Sequence, residues 1–216
     1  MITQNKKITV LLADDHPLAR AGIRTLLAQA EDMEIVGEAK DGFEVQGLVT
    51  KLRPQVLLLD LKMPGPRSFE IEKWVRENYP ETITLVLTAY DRDSYLAVMM
   101  DAGVAGYLSK EESEDRLIAA IRRAVRGEIL FDKAQYARAD QWRENIGEKL
   151  KKLTDREHEV LKLLAKGMDS QAISTTLGIR PKTVSFHITN LLSKLQLKSR
   201  QEATIWALKH LSDNLE

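Results

Sequence analysis

The 216-residue sequence contains no cysteine. That excludes a disulfide framework and any thiolate metal site, and it fits a reducing, cytoplasmic setting. Long apolar runs are also missing. No stretch approaches the roughly 18–20 apolar residues a membrane span needs, and no secretory leader opens the chain, so no membrane association is expected. Aromatic residues make up only 6 %, and net charge is absent, with 32 Lys+Arg against 32 Asp+Glu. The charge is unevenly spread, however: residues 1–127 hold 17 basic and 20 acidic side chains, and residues 151–211 hold 11 and 5. A mildly acidic first part and a basic second part suggest two domains with different partners. For the second part the partner is a polyanion, unless the charge is only a solvated face.

The first part alternates short β-branched apolar runs with segments of helical period. Runs at 8–13, 34–39, 55–60, 83–88 and 104–108 read as strands, most too uniformly apolar to have a wet face. Helical stripes lie between them, the first placing Ala19, Gly22, Ile23, Leu26, Leu27 and Ala30 together, the last ending at Gly127. Five β–α repeats predict an α/β domain over residues 1–127, a doubly wound five-stranded parallel sheet. Residues 128–150 are more polar and read as a linker, partly helical. Residues 151–216 read as a small all-α domain of four helices. Thr154 with Glu157 forms a capping box, Gly167 and Gly178 suit helix C-caps, and Pro181 suits a first helical turn.

A parallel sheet gathers the carboxyl ends of its strands at one edge, where ligands bind. Asp14 and Asp15 end the first apolar run, Asp60 the third and Thr88 the fourth, and Lys110 follows the fifth. Acidic residues often end strands as turn formers or helix caps. In register on several strand ends they read instead as a carboxylate cluster that needs a cation, and all-oxygen donors suit Mg²⁺ better than Zn²⁺. One carboxylate then serves as a nucleophile toward phosphorus, with Lys110 and the Thr88 hydroxyl on phosphoryl oxygens. His16 and Pro17 read as a helix start.

The segments "ADDH", "LLLDLKMPG", "LTA" and "GYLSK" make residues 1–127 resemble the receiver domain of two-component response regulators, which has a flavodoxin-like fold. The resemblance implies that Asp60 is the phosphoacceptor. It implies Mg²⁺ held by Asp15 and Asp60 directly, by Asp14 through water, and by the backbone carbonyl of Lys62. Thr88 and Tyr107 would form a coupled switch pair. Lys62 and Tyr90 flank the site and bear on how easily water reaches the phosphate. One departure is "PRSFE" after "MPG", where Pro66 and Arg67 stiffen a loop in which the family usually has another glycine.

In "PKTVSFHITNLLSKL", Val184, Ile188, Leu191, Leu192 and Leu195 form an inward stripe, leaving Lys182, Ser185, Phe186, Thr189 and Ser193 outward. Such a helix fits either a small bundle or the major groove of double-stranded DNA. "LTDREHEVLKLLAKG", "TVSFH" and "KLQLKSRQEA" resemble the LuxR/NarL-type helix-turn-helix domain. The resemblance makes Pro181–Leu195 a recognition helix and the last helix a dimer surface. From the residues themselves, Lys182, Lys194, Lys198 and Arg200 are expected to neutralise phosphates, and Thr183, Ser185, Phe186, Thr189 and Asn190 to meet the groove. Ser170, Gln171, Ala172 and Arg180 depart from the common family pattern.

Together these readings predict a DNA-binding response regulator rather than an enzyme. A sensor histidine kinase would phosphorylate Asp60, and the chain would act as a homodimer when phosphorylated. A phosphohydrolase is disfavoured because "DLKMPG" has no second carboxylate two residues after Asp60. The alternative is a constitutive DNA-binding regulator with a non-signalling receiver.

Overall fold

A computed structural model describes residues 7–211. The chain divides into two compact units, one ending at Ala139 and the other beginning at Asp140.

In the first unit β1 (Ile8–Ala13), β2 (Met33–Ala39), β3 (Val56–Leu59), β4 (Ile83–Thr88) and β5 (Gly106–Ser109) form one parallel sheet in the order β2-β1-β3-β4-β5. The helices α1 (Pro17–Leu27), α2 (Gly42–Leu52), α3 (Ser68–Asn78), α4 (Asp93–Ala102) and α5 (Glu114–Val125) alternate with the strands. The inner strands β1, β3 and β4 are largely apolar on both faces because both are covered, whereas the edge strand β2 carries Glu34 and Glu38. Val10, Leu12, Leu58, Leu85 and Ile121 share one cluster, while Leu11, Leu57, Leu59, Ile71 and Val86 are equally buried. Each such side chain contributes about 1.5–3 kcal/mol by leaving water.

The chain reverses direction across the sheet between β1 and β3. Ala13 pairs with Leu59, and the Asp60 N–H donates to the Ala13 carbonyl at 2.9 Å, so Asp14 and Asp60 emerge side by side at the switch point. On the other side Thr88 pairs with Ser109, which puts Lys110 directly after β5. The fifth strand thus starts two residues later than its apolar run and ends one residue later, with Val104 and Ala105 buried ahead of it. Gly22 also differs from its assigned stripe. It is exposed on α1, and Leu27 with Ala30 carry the burial there.

The segment read as a linker contains α6 (Lys133–Trp142), a π-helical turn at Arg143–Gly147 and α7 (Glu148–Lys151). Before α6, Leu130 is tied to β5's approach by its N–H to the Ala105 carbonyl, 2.7 Å.

The second unit continues with α8 (Asp155–Ala165), α9 (Ser170–Leu177), α10 (Pro181–Leu195) and α11 (Arg200–Leu211). Thr154 and Glu157 make the capping box reciprocally, and Asp169 caps α9 through the Ala172 N–H. Gly178 ends α9 at φ 64°, a left-handed conformation that a side chain would strain, and Pro181 opens α10. Val160, Leu161, Leu164, Ile173, Val184, Leu191 and Leu195 fill the core between these helices.

Candidate functional site

At the carboxyl edge of the sheet Asp14 and Asp60 are each 1 % exposed. Two buried carboxylates this close demand a cation, and Lys110 supplies one. Its Nζ lies 2.7 Å from Asp14 Oδ2 and 2.8 Å from Asp60 Oδ2. The remaining Asp60 oxygen accepts the Leu61 N–H at 2.7 Å, and Asp14 Oδ1 accepts the His16 N–H at 2.8 Å. Burial pushes the Asp60 carboxyl above its ordinary value, and Lys110 offsets only part of that rise. For Lys110 burial works against the charge, yet the hydrogen bonds it donates to Asp14 and Asp60 outweigh that and raise its pKa.

Asp14, Asp15, His16 and Asp60 each bring a ligand-capable atom within 4.8 Å of the others. The three carboxylates are hard oxygen donors, so this cluster fits a divalent cation of the Mg²⁺ type. The participation of His16, whose Nδ1 lies 2.7 Å from Asp15 Oδ1, escaped the sequence reading. Its only signal there was adjacency to the aspartate pair.

The pair Thr88 and Tyr107 meets at one residue. The Tyr90 N–H donates to the Thr88 hydroxyl at 3.1 Å, and the Tyr107 hydroxyl donates to the Tyr90 carbonyl at 2.5 Å. Tyr107 is turned inward, 4 % exposed. Burial first, and the Asp91 charge second, hold its phenol firmly protonated. Lys62, on the loop after β3, places its Nζ 4.3 Å from the centre of the Tyr90 ring. The loops flanking Asp60 and Thr88 therefore touch through a cation–π contact.

In the second unit α10 keeps Lys182, Ser185, Phe186 and Thr189 exposed, with Thr183 and Asn190 half-buried. Phe186 is 62 % exposed, which leaves its ring free to meet a partner's apolar group. The hydroxyls of Ser185 and Thr189 donate back to the carbonyls of Pro181 and Ser185, leaving their lone pairs outward as acceptors. An open groove of about 770 Å³ lies beside the start of α10, lined by Gln171, Thr175, Arg180 and Thr183 among others. Lys198 is exposed just beyond α10.

Two of the candidate DNA contacts are drawn inward instead. Lys194 Nζ pairs with the buried Glu157 at 2.7 Å. Arg200 donates to Ser170 Oγ at 2.8 Å and to the Met168 carbonyl at 2.5 Å. Both were expected at phosphates from their charge, and only their partners, on α8 for Lys194 and around the start of α9 for Arg200, reveal where the charges go.

Comparison with known proteins agrees with both units. Residues 10–122 match the response regulator receiver domain family, and residues 151–207 match the luxR family of bacterial regulatory proteins. The chain is 37 % identical over 210 residues to oxygen regulatory protein NreC of Staphylococcus epidermidis, spanning 93 % of this chain and 96 % of that protein. It is 34 % identical over 203 residues to response regulator protein VraR of Staphylococcus aureus, spanning 94 % and 97 %. Among solved structures, an RcsB–DNA complex matches with a TM-score of 0.61 at 27 % identity, covering 96 % of this chain and 99 % of that one. RcsB of Salmonella enterica serovar Typhimurium, bound to promoter rprA in the presence of the phosphomimetic BeF₃⁻, matches with a TM-score of 0.59 at 27 % identity, over 93 % and 98 %.

Proposed function

The chain belongs to the NarL/LuxR-type DNA-binding response regulators of two-component systems, and from that premise we propose that phosphorylation of Asp60 by a sensor histidine kinase controls its binding to double-stranded DNA. The observation that carries the reading is the Lys110 ammonium held between Asp14 and Asp60 at the sheet's switch point. This is a neutralised carboxylate cluster with one member, Asp60, on the strand end where ligands enter.

An Asp60 oxygen attacks phosphorus, the new O–P bond forms as the bond to the donor's imidazole nitrogen breaks, and the imidazole leaves with that electron pair. Bound at Asp14, Asp15, Asp60 and the Lys62 carbonyl, Mg²⁺ would neutralise charge on the transferred oxygens. Lys110 pairs with one phosphoryl oxygen, and Thr88 releases the Tyr90 N–H to donate to another.

In the second unit Lys182, Thr183, Ser185, Phe186, Thr189, Asn190 and Lys198 form the DNA-facing set. The cations position the helix on phosphates, and the hydroxyl, amide and ring groups read base edges. Lys194 serves by holding α10 to α8, and Arg200 by holding the start of α11 to the start of α9. A homodimer formed on phosphorylation fits paired half-sites, and a cytoplasmic location fits a chain in which no described helix is long and apolar enough to cross a membrane. The chain acts as a regulator rather than as an enzyme that turns over a substrate.

Incubation with Mg²⁺ and acetyl phosphate, followed by intact mass measurement, tests the phosphoacceptor. We expect the mass of one phosphoryl group added to the wild type and none to Asp60→Ala. Equal uptake by the variant overturns the assignment, and no uptake by either favours the constitutive regulator.

A further inference from the structure

The proposed function leaves one member of the carboxylate cluster without a task, the imidazole of His16. This residue stands between the end of β1 and Pro17, the first residue of α1. Its backbone N–H donates to Asp14 Oδ1 at 2.8 Å, and its Nδ1 lies 2.7 Å from Asp15 Oδ1 and 3.5 Å from Asp14 Oδ1. The backbone that carries it is fastened on both sides. The Asp14 N–H donates to the Ala39 carbonyl at 3.0 Å, and Arg20, one turn into α1, donates to the Asp14 carbonyl at 2.5 Å. The entry to α1 therefore brings an imidazole nitrogen to the same spot as two carboxylates, while the ring itself stays 60 % exposed.

From this geometry we propose that His16 is a ligand of the metal site, a nitrogen donor through which the site takes up a borderline divalent cation of the Co²⁺ or Zn²⁺ class as well as Mg²⁺. The proposal rests on the reading of Asp14, Asp15 and Asp60 as the cation site given above. In an octahedral site with bonds of about 2.1 Å, neighbouring donor atoms stand about 3 Å apart. The separations of 2.7 and 3.5 Å from His16 Nδ1 to the two carboxylate oxygens bracket that value, and the cluster as a whole spans no more than 4.8 Å. The Nδ1 that faces Asp15 offers its lone pair to a metal when the ring's proton resides on Nε2, and an exposed ring exchanges that proton with solvent.

The donor set decides which cation gains. Carboxylates alone suit a hard cation such as Mg²⁺, whereas imidazole suits the later first-row metals and Zn²⁺. Lys110 answers Asp14 and Asp60, while Asp15 is turned to the imidazole. A ring that ligates therefore strengthens the hold on a borderline cation more than the hold on Mg²⁺. A ring that only orients Asp15 acts on both cations alike, because both use that carboxylate. Since the two cations share Asp14, Asp15 and Asp60, each excludes the other from the site.

Isothermal titration calorimetry on the full chain, stripped of metal by a chelator, tests the ligand with Co²⁺ and Mg²⁺ as separate probes. The ratio of Co²⁺ to Mg²⁺ affinity should fall about tenfold in His16→Ala. His16→Asn keeps an N–H toward Asp15 and removes the imidazole, so it should lose the ratio to the same extent. The visible absorption of bound Co²⁺ should shift between the wild type and both variants, because a nitrogen donor splits the d orbitals of the metal more than an oxygen does. Asp15→Asn retains all four histidines of the chain and should lose the same Co²⁺ site, which separates it from binding at other imidazoles. An unchanged ratio in His16→Ala, a ratio restored in His16→Asn, an unshifted absorption, or Co²⁺ uptake untouched by Asp15→Asn overturns the nitrogen ligand alone. Failure of the wild type to bind Mg²⁺ overturns the reading of the cation site, and the ligand with it.

Discussion

In the first unit the charges that define the site are buried and answer one another. Asp14 and Asp60 are each 1 % exposed and share the Lys110 ammonium. On α10 of the second unit the arrangement is reversed: Lys182, Ser185, Phe186 and Thr189 stand in solvent, and the charge that is drawn inward, Lys194, goes to hold the helix in place. On the function proposed above, the difference follows from the ligand each would meet. A phosphoryl group is small and has to be surrounded by preorganised charge, whereas a duplex is met along its surface by groups that stand clear of the fold.

The comparison breaks most readily at Glu72, a buried carboxyl in the first unit that belongs to no site. It lies on α3, 4 % exposed, and burial raises its pKa from 4.5 to about 7 because Thr84 and Arg76 compensate only in part. An unfolded Glu releases its proton near 4.5, so the native state has no penalty below that value and loses stability as pH climbs towards 7. The loss amounts to about 3 kcal/mol at most. Urea unfolding of Glu72→Gln should therefore show a flatter pH profile and a first unit more stable than the wild type at pH values above about 7. A variant less stable than the wild type there would mean that Glu72 has a cationic partner after all.

A smaller effect separates two lysines of the second unit. Lys194→Met leaves Glu157 buried without its cation and should cost about 2 kcal/mol of stability, while leaving the salt dependence of DNA binding intact. Lys182→Ala should change stability little and lower the slope of log affinity against log salt by about 0.9. Equal loss of slope in both variants would place Lys194 on the phosphates and erase the contrast between inward and outward charge.

How much of this could be read from the sequence depends on the same contrast. Asp14, Asp15, Asp60, Thr88 and Lys110 were identifiable because parallel topology forces strand ends together, whatever their separation along the chain. The capping box at Thr154 and the stops at Gly167 and Gly178 were readable because they are local. The inward partners of Lys194 and Arg200 were not readable, because charge and spacing say nothing about a carboxylate or carbonyl waiting on another helix. The attachment of α6 was invisible for a related reason. The Arg138 fork meets Asp91 and Asp93 across 47 and 45 residues of sequence, and no pattern in "DKAQYARAD" announces it.

The central claim is that the buried site governs the exposed one, and fluorescence anisotropy with a labelled duplex carrying the chain's own operator measures it directly. We expect the full chain to bind more tightly when Mg²⁺ and beryllofluoride are present than with Mg²⁺ alone, and Asp60→Ala to lose that gain. Identical affinity of the wild type in the two conditions would contradict the claim.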